Sequence, residues 1–131
     1  MKILLDTHVW LWSISQPDRL GPGANQLLAS LSTQVYLSAV SSWEITIKWR
    51  LGKLKLPGRP DALVQDSLTT NNFLNLDISH RHSCAVGDLP AHHGDPFDRL
   101  LVAQAVTEKL VFLTADKPLL AYPVSTFWAF D

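Results

Sequence analysis

Short apolar runs separated by polar and chain-breaking residues set the rhythm of this sequence. Lys2 to Leu5 is an apolar run that stops abruptly at Asp6, as a buried strand does where it leaves a core. Residues 9–14 can then turn as a helix, and after the break over 17–23 a second helix is predicted over 24–31. A second strand is predicted over 35–37. Ser41 stands at the start of a third helix, with Trp43, Ile47 and Leu51 at i, i+4 and i+8 as its apolar stripe, Glu44 and Lys48 on the adjacent polar strip, and Gly52 at its end.

The second half repeats the alternation. A loop at 57–60 leads to a helix over 61–69, a third strand over 73–76, a short helix over 80–86 and a polar loop over 88–94. Residues 96–108 form the clearest helix of the chain, followed by a fourth strand over 110–113 that ends at Thr114-Ala115-Asp116, and an aromatic-rich fifth over 124–130. Strands alternating with helices predict an α/β fold: a central parallel five-stranded sheet flanked by helices and joined by right-handed crossovers. In such a sheet, ligands bind outside the carboxyl ends of the strands.

The length of 131 residues fits one domain spanning 1–131, able to bury a core without disulfides or a structural metal. No apolar stretch approaches the roughly 20 residues that cross a bilayer, and the run at 2–5 is too short for a secretory signal, so a cytoplasmic protein is expected. A single cysteine, Cys84, excludes an internal disulfide and a Cys-rich zinc site, and is expected to be a small buried hydrophobe. His80, His82, His92 and His93 sit in polar surroundings where solvation is the expected state, although His92 and His93 lie just before Asp95. A net charge of −1 advertises no global affinity for nucleic acid, so any such surface must be local. Lys48, Arg50, Lys53, Lys55 and Arg59, with Trp49 among them and no acid, form the one candidate; the same residues also fit the solvated end of a helix and its loop.

The chemistry lies in the acids. Asp6 and Asp116 each follow a predicted buried strand, while Glu44 and Asp98 fall in the first turn of a helix, so all four face one edge of the sheet. Structural roles compete for three of them. Ser41-Ser42-Trp43-Glu44 fits a capping box, Asp95-Pro96-Phe97-Asp98 fits an N-cap with proline and an acid in the first turn, and Asp116 fits a cap for the turn at Lys117-Pro118. Asp6 resists such a role, because a carboxylate where a strand leaves the core costs several kcal/mol unless paired or bound to a cation. Four converging carboxylates repel one another, and a divalent cation relieves that repulsion. Oxygen-only ligands select Mg²⁺ or Mn²⁺ over zinc, and metal-assisted phosphodiester hydrolysis suits such a site.

Four segments together carry a family resemblance. Leu4-Leu5-Asp6-Thr7-His8, Ser41-Ser42-Trp43-Glu44-Ile45 with Lys48 and Gly52-Lys53-Leu54, His93-Gly94-Asp95-Pro96-Phe97-Asp98-Arg99-Leu100-Leu101-Val102-Ala103-Gln104-Ala105, and Leu113-Thr114-Ala115-Asp116 resemble, in order, the PIN-domain toxins of the VapC type. The resemblance implies a Mg²⁺- or Mn²⁺-dependent endoribonuclease, the toxin of a type II toxin–antitoxin pair, inhibited by a cognate antitoxin and forming a homodimer. It maps the catalytic acids to Asp6, Glu44, Asp98 and Asp116, with Asp6 and Asp98 as the first metal ligands. Thr7 and Thr114 are then expected to orient those acids by hydrogen bonding, and Asp95 to cap its helix or contact metal-bound water. On the residues alone, Arg99 fits a partner for phosphate or a site carboxylate as well as a surface intrahelical pair, and Lys48, Arg50, Lys53 and Lys55 are the candidate contacts for RNA. The family often has Asn or Arg before its last Asp, and Ala115 departs from that.

Two other readings compete. A phosphotransfer protein of the receiver or haloacid-dehalogenase kind also places an acid such as Asp6 after the first strand, but needs a second acid where His8 sits, or one at the end of a mid-chain strand where Leu37-Ser38-Ala39 has none. A non-catalytic RNA-binding scaffold of PIN-like fold has no use for the full set of acids.

Overall fold

All five strands run in the same direction, and the first lies at the centre of the sheet. The structure, a computed structural model, describes residues 1–131. Its elements are β1 (Lys2–Leu5), α1 (Thr7–Ser15), α2 (Pro22–Ala29), β2 (Gln34–Ser38), α3 (Ala39–Arg50), α4 (Pro60–Thr69), β3 (Leu74–Leu76), α5 (His80–Ala85), α6 (Pro96–Glu108), β4 (Val111–Thr114) and β5 (Thr126–Trp128). The sheet order is β3-β2-β1-β4-β5, with every neighbouring pair parallel. The chain leaves β1 toward β2 on one side and returns to β4 on the other, so the strand order switches direction beside β1. Such a switch point opens a crevice at the carboxyl ends of the strands.

Both faces of the sheet are covered, and β1 supplies both. Ile3 and Leu5 join Val9, Trp10, Leu37 and Ile45 in one buried cluster, while Leu4 joins Val40, Leu101, Val102 and Phe112 in the other. This is why β1 reads as a continuous apolar run: in a doubly covered parallel sheet neither set of alternating side chains meets water. Pairing of Leu5 with Leu113 brings the ends of β1 and β4 level, and the Asp6 N–H donates to the Leu113 carbonyl at 3.0 Å. The two strand-end acids are thereby neighbours.

The third helix departs from its sequence pattern. It begins at Ala39, capped by Ser38, whose Oγ accepts the Val40 N–H at 3.0 Å. Ser41 is therefore inside the helix, and the capping box with Glu44 does not form. The buried face carries Val40, Ser41, Glu44 and Ile45, whereas Trp43 is 52% and Leu51 62% exposed. The predicted apolar stripe is thus largely on the surface, with Trp43 edge-on to Phe97 at 4.9 Å. Hydrophobic spacing misled here because two polar side chains of the inner face find partners inside the protein. The helix does end as expected: Gly52 adopts φ 72°, and the Lys53 N–H donates to the Lys48 carbonyl at 2.9 Å. Cys84 is exposed, not buried.

The chain after β5 packs against the turn before α2. The Gly21 N–H donates to the Ala129 carbonyl at 2.8 Å, and a Cβ at Gly21 would lie 2.3 Å from the Asp131 carbonyl oxygen. This close backbone approach anchors the strand that carries Trp128 to the rim of the crevice. No helix is long and apolar enough to cross a membrane.

Candidate active site

Asp6 sits where β1 turns into α1, and both of its carboxylate oxygens are engaged. Oδ1 accepts the Thr7 N–H at 2.8 Å, making Asp6 the N-cap of α1, and Oδ2 accepts the Thr114 hydroxyl at 2.7 Å. The sequence sets Asp6 apart from capping, and the structure corrects this: the acid caps α1 and lines the crevice as well. The residue is only 4% exposed. Burial pushes its carboxyl up to about 6, and the Thr114 and Thr7 hydrogen bonds oppose that rise without cancelling it. The Thr114 hydroxyl thus reaches Asp6 directly. The Thr7 hydroxyl does not; it pairs with Ser41 Oγ at 2.9 Å, and only the Thr7 amide reaches the acid.

Glu44 enters from the inner face of α3 and is 2% exposed. Its Oε2 accepts a hydrogen bond from the Lys48 ammonium one turn on, while its Oε1 is buried with no partner. Burial lowers the pKa of Lys48, but the hydrogen bond and charge of Glu44, with Asp95 and Asp98 behind them, more than offset that and hold it above its ordinary value.

Asp95 and Asp98 divide the labour at the start of α6. Asp95 caps the helix, its Oδ1 accepting the Phe97 N–H at 2.8 Å and the Asp98 N–H at 3.3 Å. The side chain of Asp98 is left free to face the crevice, 14% exposed. Burial, followed by repulsion from Asp6, Asp95, Glu44 and Asp116, pushes the Asp98 carboxyl up to about 8. Three acids on three other elements thus act on Asp98, which is the electrostatic signature of convergence.

Asp116 follows β4 and precedes a short 3₁₀ turn over Lys117–Ala121, but its side chain does not cap that turn. Its amide donates to Thr114 Oγ1 at 3.0 Å, and its Oδ2 lies 3.1 Å from His93 Nε2. The polar neighbour that Ala115 does not provide comes instead from the loop before α6. Arg99 builds that loop, donating to the carbonyls of Pro90 at 2.8 Å and Val86 at 3.2 Å and to the Tyr122 hydroxyl at 3.0 Å. Neither a site carboxylate nor a surface ion pair engages Arg99, whose guanidinium is spent on holding the loop together. The polar loop around His93 predicts a solvated ring, and only its nearness to Asp95 in sequence hints at the site. His82 is also buried, between Ser79 and Glu108 and away from the crevice.

The acids and His93 line a cleft of about 660 Å³. Asp6, Glu44, Asp95, Asp98 and Asp116 face it with Lys48 and Lys117 as the cations, and His8, Trp12 and Trp128 on its walls. Arg50, Lys53 and Lys55 are exposed and do not line it. The donor set suits a divalent cation on three counts: an unpartnered buried oxygen on Glu44, a carboxyl on Asp98 held protonated to unusually high pH by its neighbours, and oxygen ligands from four elements.

Residues 3–123 match the PIN domain. The chain belongs to the PIN domain family. A curated relative, Ribonuclease VapC16 of Mycobacterium tuberculosis, is 33% identical over 57 residues, a match that spans 44% of this chain and 40% of the relative. The fold is that of a chain in the crystal structure of VapBC2 from Rickettsia felis bound to a promoter DNA fragment, at a TM-score of 0.72 and 18% identity over 97% of this chain and 98% of that one. A chain of DNA-bound VapBC from Salmonella typhimurium is similar at a TM-score of 0.68 and 17% identity, covering 97% of each. The parallel five-stranded sheet expected from the sequence is the PIN arrangement, and the acids lie at its switch point.

Proposed function

We propose that this PIN domain is a Mg²⁺- or Mn²⁺-dependent endoribonuclease, the toxin of a type II toxin–antitoxin pair, silenced by a cognate antitoxin. The observation that carries the chemistry is the unpartnered buried Oε1 of Glu44 in a cleft where Asp6 and Asp98 already resist ionisation. Excess negative charge of this kind calls for a cation that Lys48 alone does not supply. Asp6 and Asp98 are the primary ligands, with Glu44 and Asp116 completing the set. A bound divalent ion supplies Lewis acidity toward a phosphodiester and relieves the repulsion among the acids.

The residues of the chain do the rest. Thr114 holds Asp6 in one orientation, Asp95 fixes the first turn of α6 so that Asp98 faces the cleft, and Lys48 keeps Glu44 in place while offering a cation beside the acids. Arg50, Lys53 and Lys55 extend that positive charge outward along the chain, where they hold the backbone of an RNA strand. RNA as substrate is supported by the relative Ribonuclease VapC16, and a protein partner by the VapBC assemblies whose chains share this fold. Single-stranded loops are the expected target. A homodimer in the cytoplasm is the expected setting.

The phosphotransfer reading finds no second acid: position 8 is an exposed histidine, and β2 ends in Ser38, buried and donating to Gln104 Oε1 at 2.5 Å. The deciding experiment is incubation of the partner-free chain with structured RNA in Mg²⁺ or Mn²⁺, with EDTA and with Asp6→Ala and Asp98→Ala as controls. Cleavage that needs the metal and both aspartates is expected. Absence of cleavage of any RNA, together with no calorimetric metal binding, overturns the proposal.

A further inference from the structure

The imidazole of His93 lies between two acids of the cleft, with Nε2 at 3.1 Å from Asp116 Oδ2 and 3.5 Å from Asp98 Oδ2. One nitrogen and two carboxylate oxygens within 4.8 Å of one another have the composition of a metal site. The far side of the ring says otherwise. Nδ1 accepts the backbone N–H of Asp95 at 3.0 Å, and an amide N–H only donates, so Nδ1 carries a lone pair. The ring proton of the neutral imidazole then resides on Nε2. A histidine that binds a metal through Nε2 has the reverse arrangement, with Nδ1–H donating to a carboxylate or carbonyl behind it.

We propose that His93 is a positioning residue and not a ligand: it donates its Nε2–H to Asp116, beside Asp98, and sets the acid at the end of β4 against the acid at the start of α6. The consequence for metal binding rests on the function proposed above, whereas the hydrogen bond is a property of the chain alone.

The loop is constructed to hold the ring in this state. Arg99 ties the backbone of Val86 and Pro90, His92 packs edge-on to Tyr122 at 5.2 Å, and Asp95 is fixed as the cap of α6 while its amide grips Nδ1. The ring is thus clamped by the backbone behind and faces carboxylates in front. His82 shows the same arrangement away from the cleft, with the Ser79 N–H on Nδ1 at 3.1 Å and Glu108 Oε1 at 3.2 Å from Nε2. There the donor role is purely architectural.

Three measurements test this. Long-range ¹H–¹⁵N spectra of the metal-free full chain are expected to show His93 protonated at Nε2 and bare at Nδ1. Electron spin echo envelope modulation of the Mn²⁺-loaded chain is expected to show no directly bound nitrogen. In calorimetry with Mn²⁺, His93→Ala is expected to weaken binding by about 10–100-fold, and His93→Gln, whose amide restores a donor at a similar reach, to recover most of that loss. A ring protonated at Nδ1, a bound-nitrogen signal that disappears in His93→Ala, or a His93→Gln as weak as His93→Ala each overturns the proposal. Wild-type chain that gives the expected spectra yet cleaves no RNA overturns the ribonuclease reading and leaves the role of His93 standing.

Discussion

The hydroxyl of Thr114 donates to Asp6 Oδ2 at 2.7 Å across the seam between β4 and β1, and its oxygen also accepts the Asp116 N–H at 3.0 Å. One side chain thereby ties together the two strand-end acids, which lie far apart in sequence. Thr114→Val keeps the shape and removes both bonds, leaving a buried carboxylate oxygen and a backbone amide short of a partner. The expected loss is about 1–3 kcal/mol of stability and a clear fall in metal affinity, while Thr114→Ser retains both. Chemical denaturation and calorimetry of the two variants check this; equal behaviour of Val and Ser at this position contradicts it.

Much of this arrangement is legible in the sequence, for reasons that differ by residue. Asp6 and Asp116 stand out because parallel strands buried on both faces are uniformly apolar, so the first charged residue marks where each strand leaves the core. Asp95-Pro96 marks the start of α6 because cap and proline preferences act locally. The phase of α3 is not local. Ser41 and Glu44 lie on its inner face because Thr7 and Lys48 meet them there, and hydropathy assigns such residues to the surface. His93 is hidden for the same reason: its contact with Asp116 exists only once Arg99 and Tyr122 have folded the loop back.

Asp6 and Asp98 give the metal-free protein an unusual dependence on pH. Their carboxyls are raised from 3.8 to about 6 and about 8, so over that range the folded chain holds protons that the unfolded chain has released. Their contribution to stability is full below about pH 4 and is lost as pH rises through the folded values. In EDTA, the Tm difference between wild type and Asp98→Asn is expected to move against wild type as pH is raised from about 5 to about 8. On the proposed function Mg²⁺ replaces the protons, so its stabilising effect on wild type is expected to grow over the same range. A difference between the two proteins that does not change with pH sinks this account.

Asp98→Asn also separates stability from function. The amide keeps the size of the side chain and removes one of the mutually repelling charges, so the metal-free variant is expected to melt higher than wild type at about pH 8. It also removes a proposed primary ligand, and RNA cleavage is expected to fall by at least 100-fold. Gain of stability with loss of cleavage identifies Asp98 as a residue kept for chemistry at the expense of the fold. A variant that loses both stability and activity identifies it as structural.

The exposed basic residues after Lys48 act on a different quantity. Arg50, Lys53 and Lys55 do not line the cleft, so their replacement is expected to leave the acids undisturbed. If each meets one phosphate of a single strand, the triple alanine variant should lower the slope of log K against log salt by about 0.7 per lost contact, roughly 2 in all. Binding to a non-cleavable RNA at several salt concentrations reads that slope directly. Cleavage at saturating RNA is expected to stay near wild type, because none of the three residues lines the cleft. A triple variant with an unchanged salt slope returns these residues to the role of a solvated helix end and its loop.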